Sequence, residues 1–138
     1  IVANTEPLHE PSNTQQDVGP NLNVLLANAD PASGEKMSKK CIACHTFSQG
    51  QASKIGPNLW DIIGRNIASG PGFAYSNALL NVEGKWNFVE LDRFLTSPKT
   101  FARGTKMAFP GLKKPSDRAD VIMYLRSLSP TPVAIPRD

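Results

Sequence analysis

A mostly α-helical domain, with few helices and long loops, is what this sequence predicts, and three observations carry the prediction. Helix-start signals stand at Asp30-Pro31, where an N-cap precedes a proline, and at Asn87-Phe88-Val89-Glu90, which has the form of a capping box. Apolar residues then recur at helical spacing, and no stretch alternates convincingly as a strand would. Proline and glycine make up 22 of 138 residues, about 16% against roughly 12% on average, so loops are plentiful. A single domain of this length with only about forty-five helical residues must be held together by something besides regular secondary structure.

Before the first signal, residues 1–29 contain three prolines, five asparagines, two glutamines and no aromatic residue. That composition buries too little surface to offset its ordering entropy, so the segment reads as a flexible linker, although residues 22–29 are apolar enough to lie along a domain. Charge draws the same line. The first 32 residues carry four acids and no base, a charge of −4, and the remainder carries fifteen bases against eight acids, +7, under an overall +3. The chain starts at Ile1 rather than Met, so an upstream segment is expected to have been removed. No apolar run approaches the ~18 residues that cross a bilayer. Two cysteines exclude a disulfide scaffold and a four-cysteine zinc site.

The folded domain is expected over residues 30–129. A helix opened by Asp30-Pro31 runs toward Cys41, and a glycine-punctuated stretch follows from 46 to 72. A short helix is predicted at 76–81. Behind the Asn87 box, Leu91, Phe94 and Leu95 share one helical face, and Pro98 stops the run. Residues 99–114 are irregular, with Gly104, Pro110 and Gly111. The last helix starts near Pro115 and carries Val121, Ile122, Leu125 and Leu128 on one stripe; Ser129-Pro130 ends it, leaving a proline-rich tail over 130–138.

Within this frame, Cys41-Ile42-Ala43-Cys44-His45 is the C-x-x-C-H pattern of covalent c-type haem attachment. Two thiols three residues apart at a helix end can both reach the vinyl groups of a porphyrin, and the adjacent imidazole then rises to the iron. A redox dithiol would need a βαβ frame that is absent here. A zinc site would need two further ligands, and the only other histidine is His9 in the linker. For the sixth iron ligand three methionines compete. Met37 and Met123 lie in predicted helices and read as core. Met107 sits in Gly104-Thr105-Lys106-Met107-Ala108-Phe109-Pro110-Gly111, a glycine-flanked loop able to close over a flat cofactor. A thioether on iron favours the ferrous state, so His/Met ligation points to electron transfer rather than to chemistry at an open iron.

Taken together with Gly56-Pro57-Asn58-Leu59, Gly64-Arg65, Gly72-Phe73-Ala74-Tyr75-Ser76, Trp86, Ser97-Pro98-Lys99 and Arg118-Ala119-Asp120, these motifs resemble the class I cytochromes c over about residues 31–128. His45 and Met107 are 62 residues apart, the same interval as in the mitochondrial members. The resemblance implies their fold, a few helices and long loops wrapped around one haem c. It also implies thioethers at Cys41 and Cys44, axial ligation by His45 and Met107, and a Pro57 carbonyl that accepts from His45. Arg65, Tyr75 and Trp86 would attend the haem propionates, Thr105 and Phe109 would close the methionine side, and Gly34 and Tyr124 would join the first and last helices. Phe94 departs from the pattern, standing where the family often has a tyrosine whose hydroxyl touches the methionine sulfur. Leu79 likewise replaces an asparagine of the same network.

Lys40, Lys54, Lys99, Lys106, Lys113 and Lys114 match positions that in relatives ring the exposed haem edge and attract acidic docking surfaces. Nucleic acid has no supporting motif. The implied activity is that of a monomeric single-electron carrier, not an enzyme, moving electrons from a quinol-oxidising cytochrome complex to a terminal oxidase. A haem peroxidase and a sensory haem module are the rival readings. Residues 25–31 and 129–132 are similar to membrane-anchored alpha-proteobacterial members, which implies a periplasmic domain tethered to the inner membrane through a removed N-terminal anchor.

Overall fold

Helices here begin where a side chain or a proline can answer the free N–H groups of a first turn. A computed structural model describes residues 21–136; His9 and the rest of 1–20 lie outside the described residues, as do 137 and 138. The helices among the described residues are α1 (Leu22–Ala27), α2 (Pro31–Met37), α3 (Lys39–Ile42), α4 (Asn77–Leu80), α5 (Phe88–Thr96), α6 (Pro98–Phe101) and α7 (Pro115–Ser127). The only strand-like pairing among them is one isolated bridge, Asn66 to Lys85.

Asp30 caps α2 as its sequence predicts, its carboxylate accepting from Ala32 N at 3.0 Å, with Pro31 in the first helical position. The expected run to Cys41 is broken at Ser38, whose hydroxyl donates to Glu35 O at 2.6 Å and competes with the helical ladder. Asn87 accepts from Glu90 N at 2.7 Å, but the reciprocal half of the box is absent. Glu90 instead faces Arg93 at 3.7 Å, and Asn87 N donates to Lys85 O. Pro98 ends α5 and at once opens α6, because Ser97 caps the new turn by accepting from Thr100 N.

The core forms where α7 crosses α2, with α1 and α5 against its other sides. Ile122 is fully buried, and Val121, Met123 and Leu125 pack beside it with Leu91, Leu95, Phe88 and Trp86. Gly34 makes the α2–α7 crossing possible. A Cβ at that position would run into the Asp120 carbonyl and come within 3.0 Å of Tyr124 Cβ. Two segments are more tightly held than their composition suggests. Leu26 of α1 is 1% exposed and α1 packs on α7, so residues 22–27, read as part of a linker, lie along the folded body. After α7 the tail turns back: Arg126 Nε donates to Val133 O at 2.6 Å, and Ile135 packs on the core.

Candidate functional site

The C-x-x-C-H segment leaves α3 as a hydrogen-bonded turn. Cys44 N and His45 N both donate to Cys41 O, at 3.0 and 2.9 Å, which fixes the two thiols and the imidazole relative to one another. Loop 54–58 wraps this turn. Gly56 N donates to Cys44 O at 2.6 Å, and Lys54 Nζ donates to Ile42 O at 3.0 Å.

His45 is buried, and its Nδ1 lies 2.7 Å from the Pro57 carbonyl. A carbonyl only accepts, so Nδ1 carries the proton and Nε2 is left as the lone-pair nitrogen. Burial lowers the pKa of the ring, opposed by the Pro57 carbonyl, which favours the charged form. A neutral imidazole with its other nitrogen anchored is the form a metal binds. Gly56 lies flat against this ring, and a Cβ there would sit 2.8 Å from Nδ1 and 2.9 Å from Nε2. Burial, reinforced by the neighbouring Cys44, pushes the Cys41 thiol up against the pull of Lys40. A redox dithiol needs the opposite shift. Among the described residues no group of three His, Cys, Asp or Glu side chains gathers as a metal site would require.

The three methionines part company. Met123 is in the core and Met37 packs on it, whereas Met107 is half-buried in its loop and outside the core cluster. Its N–H donates to Thr105 Oγ1 at 3.2 Å, Gly104 turns the chain at φ +94°, and Lys106 Nζ donates to Ala74 O at 3.2 Å. Phe109 packs on the core cluster.

Arg65 and Tyr75 converge on Gly70. Tyr75 Oη accepts from Gly70 N at 2.8 Å, and a Cβ on Gly70 would sit 3.1 Å from Arg65 Nη1. Arg65 Nη2 donates to the Asn58 and Trp60 carbonyls, at 3.0 and 2.7 Å, and Trp86 N donates to Arg65 O at 2.9 Å. Arg65 Nη1, the Tyr75 hydroxyl proton and the Trp86 indole N–H have no protein acceptor among the described residues. Such a set of donors suits the carboxylates of a haem, as the two thiols and the lone-pair nitrogen of His45 suit its vinyl groups and iron. Trp86 is also core, stacked on Phe101 at 5.7 Å and edge-on to Phe94 at 5.1 Å.

A cavity of about 820 Å³ is lined by Pro57, Asn58, Trp60, Arg65, Thr131 and Val133, among others, and by none of Cys41, Cys44, His45 or Met107. It therefore flanks the site beneath Arg65. All six lysines of the expected ring are exposed. Arg103, absent from that ring, joins Lys99 in lining a groove of about 430 Å³ with Thr100, Gly104 and Thr105. Its spacing of four residues after Lys99 is the sequence signal for it. Gly70 carries no chemistry of its own, and only the close approach of Tyr75 and Arg65 to its backbone reveals it; Gly56 belongs to the Gly56–Leu59 motif, but its contact with the His45 ring shows only in the fold.

No protein-family model matches the chain. Over 113 residues it is 44% identical to a cytochrome c homolog of Bradyrhizobium diazoefficiens, 81% of this chain but 61% of that protein's length. Over 98 residues it is 46% identical to cytochrome c of Ginkgo biloba, covering 70% of this chain and 87% of the plant protein. The solved structure of cytochrome cH from Methylobacterium extorquens superposes with a TM-score of 0.68 at 37% identity, covering 72% of this chain and 99% of that one. With that likeness in sequence and fold, and with a C-x-x-C-H turn in place, the chain belongs to the cytochrome c family and holds one covalent haem c through Cys41 and Cys44.

Proposed function

We propose that the chain is a single-electron carrier whose haem iron is ligated axially by His45 and Met107. One observation carries this reading: the His45 ring is anchored through Nδ1 to the Pro57 carbonyl, with Nε2 left to bind, beside the two attachment thiols. The bound haem supplies a one-electron couple. The protein supplies the rest. Pro57 orients His45 and raises its basicity; Met107 would supply a thioether that favours the reduced state. Arg65, Tyr75 and Trp86 hold the propionates through their free donors, so that those carboxylates stay ionised away from bulk water. Thr105 and Phe109 hold the methionine side shut.

Lys40, Lys54, Lys99, Lys106, Lys113 and Lys114 steer encounter with acidic surfaces on a quinol-oxidising complex and a terminal oxidase. Exposed Ile42 and Ile55, 48% and 77% accessible, offer apolar contact next to Lys54. Haem attachment of this kind follows export, so the working location is the periplasm. The segment read from the sequence as a linker, residues 1–29, would tether the domain to a membrane anchor; no helix among the described residues is long and apolar enough to cross a membrane.

Redox titration of the purified protein beside Met107→Ala tests the ligation. The variant keeps its haem through denaturation but loses potential sharply; an unchanged potential refutes Met107 as the ligand. A haem-stained denaturing gel of cell fractions from the full native gene tests the tether. A stained band heavier than 15.0 kDa in the membrane fraction supports it, and one of about this mass in the soluble fraction refutes it.

A further inference from the structure

We infer that the half-buried Asp92–Arg118 pair is a positioning device for Met107, setting how readily its sulfur leaves the iron. The inference rests on the reading of Met107 as the sixth ligand. Arg118, in the first half of α7, is 9% exposed and engages three acceptors at once. Its Nε donates to Asp92 Oδ1 of α5 at 2.7 Å, and its Nη1 donates to the Leu112 and Lys113 carbonyls at 2.9 and 3.0 Å. Those carbonyls end the segment that carries Met107. Leu112 N donates to Leu95 O at 2.7 Å, and Gly111 passes so close to the Thr96 carbonyl that a Cβ there would collide with it. Residues 111–113 are thereby fastened to α5 and α7 together.

Upstream, the segment is fastened at Thr105, whose N–H donates to Ala102 O and whose hydroxyl accepts from Met107 N. Residues 108–110 make no hydrogen bond among the described residues. Met107 therefore rides on a strap fixed at both ends, and its placement follows where the ends are held. Asp92 is the acceptor that keeps the Arg118 fork aimed. Its pairing is charge-assisted, short and only a quarter exposed, so water and salt weaken it little. The Glu90–Arg93 pair on the same helix is the contrast, at 3.7 Å with Arg93 65% exposed; such pairs contribute little.

The test is a titration of the ferric, haem-loaded protein with imidazole, which occupies the iron only when Met107 has left. It is followed by the far-red methionine–iron charge-transfer band. Asp92→Asn keeps the shape and removes the charge, and raises apparent imidazole affinity about tenfold, equivalent to roughly 1.4 kcal/mol. Arg118→Lys keeps the charge but loses the planar fork, and shifts affinity the same way. Glu90→Gln stays within about twofold of the wild type. Far-ultraviolet circular dichroism at each imidazole concentration confirms that the compared proteins are equally folded. Wild-type affinity in both Asp92→Asn and Arg118→Lys, with the band intact, overturns the positioning role and leaves the ligation standing. A wild-type protein without the band overturns the ligation, and the positioning role with it.

Discussion

Gly56→Ala places one methyl group against the imidazole that defines the site. The new Cβ would lie 2.8 Å from His45 Nδ1 and 2.9 Å from Nε2, and closer still to Cε1, where ordinary contact is 3.4–4 Å. Gly56 cannot back away, because its N–H is bonded to Cys44 O at 2.6 Å. The ring must retreat instead, by at least about half an ångström, in an interior with no slack. That motion stretches the 2.7 Å contact of Nδ1 with Pro57 to the edge of useful hydrogen bonding. Leaving a buried donor unsatisfied costs about 1–3 kcal/mol, and overpacking costs a similar amount. The gain from a stiffer unfolded chain is smaller, about 0.4–1 kcal/mol. The net expectation is a loss of about 1–5 kcal/mol, read from guanidinium unfolding of the ferric haem protein by tryptophan fluorescence. Stability within about 0.5 kcal/mol of the wild type would refute the claim that the ring needs a bare backbone beneath it.

The same steric logic applies where α2 meets α7. Gly34→Ala gains about 1 kcal/mol of helix propensity but sets a methyl against the Asp120 carbonyl, and two backbones must part to admit it. Denaturant unfolding should show a net loss of about 1–3 kcal/mol; a variant as stable as the wild type would mean the crossing has room the geometry does not show. For docking, Lys113→Glu should slow oxidation by a terminal oxidase about tenfold at low ionic strength and converge on the wild-type rate as salt rises. Lys106→Glu should act likewise, with an added effect on the Met107 loop because its ammonium also holds Ala74 O. Equal low-salt rates in all three proteins would remove those lysines from the interface.

How far the molecule could be read from its sequence depended on how local the causes were. Asp30 and Asn87 announce their helices because a cap needs only its own next few residues, and the cysteines and His45 announce a haem because five consecutive positions encode its attachment. The break at Ser38 turns on one hydroxyl choosing the Glu35 carbonyl, which no periodicity records. Helix α1 was legible only as an apolar stretch able to lie along a domain: within 29 residues of linker-like composition, Leu22, Leu25 and Leu26 are spaced to put one apolar face on the core, but nothing local announces a helix. The Asp92–Arg118 pair spans 26 residues and two helices. A long-range ion pair has no signature in either local segment.

Phe94 and Leu79 tie the packing of this chain to the behaviour of its proposed iron site. Where related proteins often place a hydroxyl and an amide near the methionine, this chain places hydrocarbon. The Phe94 ring stands edge-on to Phe101 at 5.5 Å, while Leu79 packs on the same core. Each exchanges a possible polar contact with the sulfur side for apolar burial, which fills space but fixes no direction. A sulfur without a hydroxyl to hold it must be placed by its own main chain. The burden then falls on the fastenings at Thr105 and at residues 111–113, so breaking the Asp92–Arg118 pair should loosen Met107 more in this chain than in one where Phe94→Tyr has restored the hydroxyl. A double-mutant cycle on imidazole affinity measures that difference directly, and strict additivity of Asp92→Asn and Phe94→Tyr would show that the two supports act independently.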